Sequence, residues 1–308
     1  MKTSIAKLAL GLTLVSMSGV AMAGIANTKH NLGASGSWNF NDATTEICVF
    51  CHTPHGGDTS AAVPLWNRHL SSTVTYTTYS SLGTSTLDSA SAEIGSVSLA
   101  CLSCHDGTQA MDVVINSQGS GTAGTVGTGT GSGPNGWVEF QAMSEVSGEP
   151  IYLGTDLRND HPISIQYAGA LVGGTQARAA NDSDFWNAVP APAALSGTVV
   201  YYIEADGVAG KSKHDLPLYN RTGGTITSSG LNLQALTDQP LVECATCHDP
   251  HTQNTTFLRH NSGNNGSATC WTCHNKQAVC NTAPQGGARR KRLAFFSGFF
   301  SGFSAVGT

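Results

Sequence analysis

The sequence predicts a mostly irregular chain, with short helices and few short strands, whose core is filled largely by groups other than its own side chains. Three observations predict it. Nine cysteines are present among 308 residues, and eight fall into four Cys-x-x-Cys-His pentads: Cys48/Cys51/His52, Cys101/Cys104/His105, Cys244/Cys247/His248 and Cys270/Cys273/His274. The chain holds 36 glycines, and its Gly/Ser/Thr runs keep any apolar periodicity below about four helical turns. Charged residues make up only 11%, against roughly 25% in ordinary soluble domains.

A Cys-x-x-Cys-His pentad is the signature of covalent haem attachment, in which the two thiols add to haem vinyl groups and the adjacent imidazole ligates iron from one face. Four copies predict four covalently attached c-type haems, with His52, His105, His248 and His274 as proximal ligands. Paired Cys-x-x-Cys motifs also build structural zinc sites, but zinc does not require a histidine directly after each pair. Thiols two residues apart make strained or redox-active bridges rather than staples, and thioredoxin-like dithiols need βαβ contexts that the sequence lacks. The fold class is therefore a multihaem cytochrome c wrapped around a haem chain.

The elements follow in order. Residues 1–23 have a basic start at Lys2, an apolar stretch from Leu8 to Val20 and the small-residue ending Ala21-Met22-Ala23, which predicts a secretory signal peptide cleaved after Ala23. Export suits c-type haem, which bacteria attach outside the cytoplasm. Residues 24–116 hold the first haem pair. Within them, residues 24–47 read as extended, Pro64 to Arg68 as an apolar-aromatic patch able to cover a porphyrin, and Val74 to Tyr79 as a short strand. Ser96 to His105 reads as a short helix stopped by Asp106-Gly107.

Residues 117–213 form a glycine-rich linker and a central region that supplies a distal ligand. The run from Ser117 to Gly133 offers almost nothing to bury, burial resumes at Trp137 to Met143, and Thr198 to Ile203 reads as a strand. Residues 214–280 hold the second haem pair, and residues 281–308 are a basic, aromatic tail of unknown role. Cys280 is left over as a free thiol or cross-link in an exposed tail.

An internal repeat organises the two pairs. Thr28-Lys29-His30-Asn31-Leu32 precedes the eight-residue stretch from Cys48 to His55, and Ser212-Lys213-His214-Asp215-Leu216 precedes that from Cys244 to His251. Downstream, Leu65 to His69 loosely answers Phe257 to His260.

Seven histidines remain for the far sides of four irons: His30, His55, His69, His161, His214, His251 and His260. Beyond the leader the only methionines are Met111 and Met143, so bis-histidine ligation is the economical reading. His55 follows His52 past a proline and cannot reach the opposite face of the same macrocycle, and the same holds for His251 after His248. The expectation is that His55 serves the haem on Cys101/Cys104 and His251 that on Cys270/Cys273. The other two irons draw on His30, His161 and His214, with His30 and His161 favoured, while His69, His214 and His260 are expected as solvated or propionate-bonded histidines.

With these residues the chain resembles the multihaem cytochromes with paired CxxCH motifs. The matching stretches are Thr28 to Leu32, Cys48 to His55, Pro64 to Arg68, Cys101 to Gly107, Leu153 to Pro162 and Cys244 to His251. Within that family it looks most like the tetrahaem subunits of extracellular cytochrome filaments made by metal-reducing bacteria such as Geobacter. The resemblance implies stacked bis-histidine haems and one distal histidine near the N-terminus donated to a neighbouring subunit, a role that falls on His30. It also implies further copies of the chain, upstream periplasmic or outer-membrane cytochromes, and extracellular acceptors such as metal oxides as partners. The glycine-rich 117–133 run and the ending after Arg289 depart from the family pattern.

Full ligation leaves no open iron position, so outer-sphere electron transfer is expected rather than enzymatic turnover. The leading expectation is an extracellular or cell-surface electron conductor that polymerises. A monomeric periplasmic or surface tetrahaem carrier is the second, and a haem enzyme with one open iron the third. The net charge of -5 and the lack of a basic stripe before the tail argue against nucleic acid.

Overall fold

The computed structural model describes residues 24–33, 35–36, 45–70, 73–83, 89–109, 114–116, 151–169, 171–172, 179–191, 199–219 and 240–275. The signal segment 1–23, the run 117–133, Met111, Met143, Cys280 and the tail 281–308 lie outside the described residues. Short helices and a small open sheet make up the regular structure, as the interrupted periodicity predicts.

Among the described residues, three α-helical segments are α1 (Ser96–His105), α2 (Cys244–Cys247) and α3 (Ala268–Cys273), and each carries attachment cysteines. The remaining pentad opens with a single 3-10 turn, Cys48–Phe50. In α1, Val97, Ala100 and Leu102 are buried alongside Ser98 and Ser103, so the helix is packed on several sides. It ends at the Asp106-Gly107 stop, where Gly107 takes φ 69°, a left-handed value that glycine adopts at little cost. No helix among the described residues is long and apolar enough to cross a membrane.

Among the described residues, seven strands form two sheets: β1 (Ile165–Gln166), β2 (Leu171–Val172), β3 (Ala179–Ala180), β4 (Val189–Pro190), β5 (Val199–Ile203), β6 (Leu216–Tyr219) and β7 (Leu241–Val242). The larger sheet has the order β1-β7-β6-β5-β4 and is antiparallel throughout, while β2 and β3 pair separately. Pro217 sits inside β6 opposite Tyr202. Its missing N–H is tolerated because β7 meets β6 only at Tyr219–Leu241, leaving no ladder bond for Pro217 to break on that side. One face of this sheet buries Ile165, Tyr167, Ala188, Ile203, Leu216, Leu218 and Val242, against which Phe185 and Cys273 pack. Each fully buried Leu or Ile there contributes about 1.5–3 kcal/mol, so the sheet anchors the fourth pentad.

The β5 strand lies where the β-branched run predicts. Val74 to Tyr79 does not form a strand: it makes one bridge, Thr77 to Asp156, and then turns into the 3-10 segment Tyr79–Leu82. Tyr76 explains the break, since its hydroxyl donates to the buried Asp106 at 2.6 Å and directs that side chain to the end of α1 instead of into a ladder.

Candidate haem sites

All four pentads close as helical turns. The His52 N–H donates to the Cys48 carbonyl at 2.8 Å, His248 to Cys244 at 3.1 Å and His274 to Cys270 at 2.9 Å. Cysteines three apart on such a turn lie on one face, one above the other. The eight described cysteines are all free thiols, so no disulfide competes for them.

The thiols of successive pentads lie close to one another. Cys51 is within charge-interaction range of Cys104, Cys101 within hydrogen-bonding reach of Cys244, and Cys247 within range of both Cys270 and Cys273. They therefore run in one row in the order of the sequence. Burial pushes the Cys51 and Cys247 thiols up to about 12, with neighbouring thiols adding to the rise. In the contacting pair, Cys101 is raised, through its bond to Cys244 and through burial, while the same bond lowers Cys244.

The repeat seen in the sequence is also structural. Thr53 N–H donates to the Leu65 carbonyl where Asp249 N–H donates to Phe257, and Asn67 N–H donates to Cys51 where Arg259 N–H donates to Cys247. Bridges join His52 to Trp66 and His248 to Leu258. Leu65 at φ 54° and Phe257 at φ 58° share a left-handed backbone that non-glycine residues seldom adopt. Upstream, the His30 N–H reaches the Thr28 hydroxyl as the His214 N–H reaches that of Ser212. A Cβ on Gly57 would come within 2.7 Å of the Leu65 backbone, so the return loop of the first unit requires glycine there.

Three of the four pentad imidazoles share one arrangement. The Nδ1 of His52 lies 2.9 Å from the Pro64 carbonyl, that of His105 2.9 Å from Ile151 and that of His248 2.8 Å from Thr256. Carbonyl oxygens only accept, so each Nδ1 carries the proton and each Nε2 is the lone-pair nitrogen, the tautomer of a metal-ligating histidine steadied by an outer partner. The same bond is made by His161 to the Pro162 carbonyl at 3.0 Å and by His214 to the Arg259 carbonyl at 3.0 Å. His30 bonds the Pro250 carbonyl, and the His251 Nδ1 lies 3.1 Å from the Asp249 carboxylate.

Two pairs of rings lie at equal separation, His52–His251 with planes 18° from parallel and His30–His105 edge-on at 63°. His52 and His251 have centres 6.2 Å apart, and so do His30 and His105. With metal–imidazole nitrogen bonds of about 2.0–2.1 Å, two imidazoles on opposite sides of one metal have centres about 6 Å apart. The donor set and its spacing thus fit a haem iron between each pair. Burial, with the charges of His105, His251 and His248 acting the same way, holds His30 down to about 4, keeping it neutral and able to ligate. Its ring also stacks on Phe257 at 4.2 Å.

The remaining sequence-derived candidates are placed as follows. His161 lies within range of the His248 charge. His274 packs against Phe185, with ring centres 4.5 Å apart. His55 and His69 are exposed, and the backbone carbonyl of His55 is held by Thr53 and Asn116. Two placements differ from expectation. His251 faces His52 of the first pentad instead of meeting the fourth, and Gly24 and Gln253 tie the N-terminal segment to its loop. His214, expected to be solvated, has its ring fixed by a backbone carbonyl. The signal for it was in the sequence: the Lys-His-Asn/Asp-Leu repeat makes His214 the counterpart of His30.

The family description "Doubled CXXCH motif" matches residues 239–279, which contain α2, α3 and the pentads of Cys244 and Cys270. A paired haem-attachment motif of c-type cytochromes is therefore present, and it supports haem binding and electron transfer in general. No curated protein matches the chain.

Proposed function

We propose that the chain is an exported four-haem electron-transfer protein that conducts along a row of haems and works as the subunit of an extracellular filament delivering electrons to acceptors such as metal oxides. The observation that carries the conductor reading is the row of attachment cysteines, in which Cys51 neighbours Cys104, Cys101 touches Cys244, and Cys247 neighbours Cys270 and Cys273. Haems tethered in that row follow one another in sequence order. Each supplies a one-electron iron couple, and bis-histidine ligation leaves outer-sphere transfer as its chemistry.

The chain's own residues fix the ligands. His52, His105, His248 and His274 bind from the attachment side. His251 is the partner of His52 and His30 that of His105, and His161 is assigned to His248. The repeat gives His214 to His274, as His30 is given to His105. Backbone carbonyls hold the ring orientations of His52, His105, His161, His214 and His248, which raises their basicity as ligands.

The polymer reading rests on the family resemblance together with one repeat relation. His251 of the second unit faces a haem segment outside its own unit, and its counterpart His55 is exposed on the first unit. In a filament, His55 is then the residue placed to reach a neighbouring copy. A monomeric surface or periplasmic carrier is the second reading, favoured by His30 lying beside His105 of its own chain rather than extending outward. Electron microscopy of the extracellular fraction tests the choice. Filaments that persist in His30→Ala but vanish in His55→Ala support the polymer with His55 as the link, and a parent protein found only as dispersed particles supports the carrier.

A further inference from the structure

Glu243 is 1% exposed, and a buried carboxylate is costly unless every oxygen is served. Its Oε2 receives both the Ser98 hydroxyl at 2.5 Å and the Ser164 hydroxyl at 3.1 Å, and Glu243 and Thr246 form the capping box of α2, in which the Glu243 N–H donates to the Thr246 hydroxyl at 2.9 Å. The direction of the Ser98 bond is fixed, because the same hydroxyl accepts the Cys244 N–H at 2.9 Å. Both hydroxyl partners of the carboxylate donate to it, the arrangement that favours its charged form.

The location gives this carboxylate a consequence beyond capping. Ser98 belongs to α1, which carries Cys101, Cys104 and His105, and Glu243 directly precedes Cys244. Ser164 lies in the strand region after His161, held at φ 54° by bonds from its N–H to Val242 and from Ala92 to its carbonyl. Ser98, Ser164 and Thr246 are all fully buried. One carboxylate therefore ties together the second attachment segment, the third, and the chain leading from His161, at the place where the Cys101 and Cys244 thiols meet.

We propose that Glu243 is a positioning residue that clamps the second and third haem segments together and, as a buried anion beside them, lowers the potentials of those two haems relative to the outer two. The inference rests on the haem reading above. Oxidised iron carries one more positive charge than reduced iron, so a fixed negative charge at low dielectric favours the oxidised form. The middle of the row becomes a low-potential step between two higher ends.

The test is a spectroelectrochemical titration of purified holoprotein carrying Glu243→Gln, which keeps the shape and removes the charge. Two of the four components are expected to move to higher potential by about tenfold in their reduction equilibrium, or about 59 mV for one electron, with the other two unchanged. Ser164→Ala keeps the carboxylate and the Ser98–Cys244 clamp but removes one donor that neutralises it, and should move the same two components to lower potential. This variant carries the test if Glu243→Gln does not mature. Titrations of four-haem protein that match the parent in the variants obtained, or a uniform shift of all four components, overturn the proposal. A parent protein without covalent haem overturns the underlying reading instead.

Discussion

The imidazoles of His52 and His251 face each other with ring centres 6.2 Å apart and planes 18° from parallel, although one belongs to the first attachment segment and the other follows the third. The two halves of the repeat are thus closed on each other across one haem site. Replacing His251 by Ala should leave four covalent haems and convert about one in four from low spin to high spin, as read by optical and magnetic spectra of the oxidised protein. An unchanged spectrum would remove His251 from the ligand set.

His214 and His55 separate the reading from structure from the reading of spacing. His214→Ala should create one high-spin haem in isolated subunits, because its ring is oriented by the Arg259 carbonyl. His55→Ala should leave the isolated subunit low spin. The reverse pattern would restore His55 as an internal ligand and return His214 to a surface role.

Asp249 gives the His52–His251 site an acid limit. The bond from His251 holds its carboxyl down to about 2, with Arg259 adding to the fall and burial opposing it. The native carboxylate binds its proton more weakly than the unfolded one, so the unfolded chain holds more protons between about pH 4 and pH 2. The stabilisation is therefore complete above pH 4 and lost as the pH falls through 2. It amounts to about 2 kcal/mol at most. Acid titration of the parent should show this loss by denaturant unfolding, and Asp249→Asn should abolish that part of the pH dependence.

Arg68 is fully buried and donates from Nη2 to the Ser103 carbonyl at 2.9 Å, joining the return loop of the first pentad to α1. Arg68→Ala removes the bond and leaves a cavity beside Cys51. It should lower unfolding stability by about 2–4 kcal/mol without altering the number of haems. A loss below about 0.5 kcal/mol would show that the loop is held by other contacts.

The chemistry was more legible in the sequence than the geometry. The pentads, the helix ending at Asp106-Gly107, the strand near Val199 and the repeat were all readable, because each is encoded locally by spacing, a breaker or a β-branched run. Which histidine faces which was not, since His251 meets His52 through folding of one half onto the other. His55 and His251 occupy matching places in the sequence yet different surroundings: the Gly24–Asn27 turn docks against the His251 loop, whereas Asn116 holds the His55 carbonyl. Glu243 was likewise invisible as a clamp, because its partners Ser98 and Ser164 lie far from it along the chain. Val74 to Tyr79 misled because alternation measures burial of side chains, and the half-buried Tyr76 packs on a helix end instead of a sheet.

The measurement closest to the central claim is the haem content and spin state of the mature, exported protein, taken together by intact mass and low-temperature magnetic resonance. The account predicts four covalently attached haems per chain, all low spin when oxidised, and no bound zinc. Fewer than four haems, zinc held by the cysteine pairs, or a high-spin population in the unmodified protein would contradict it.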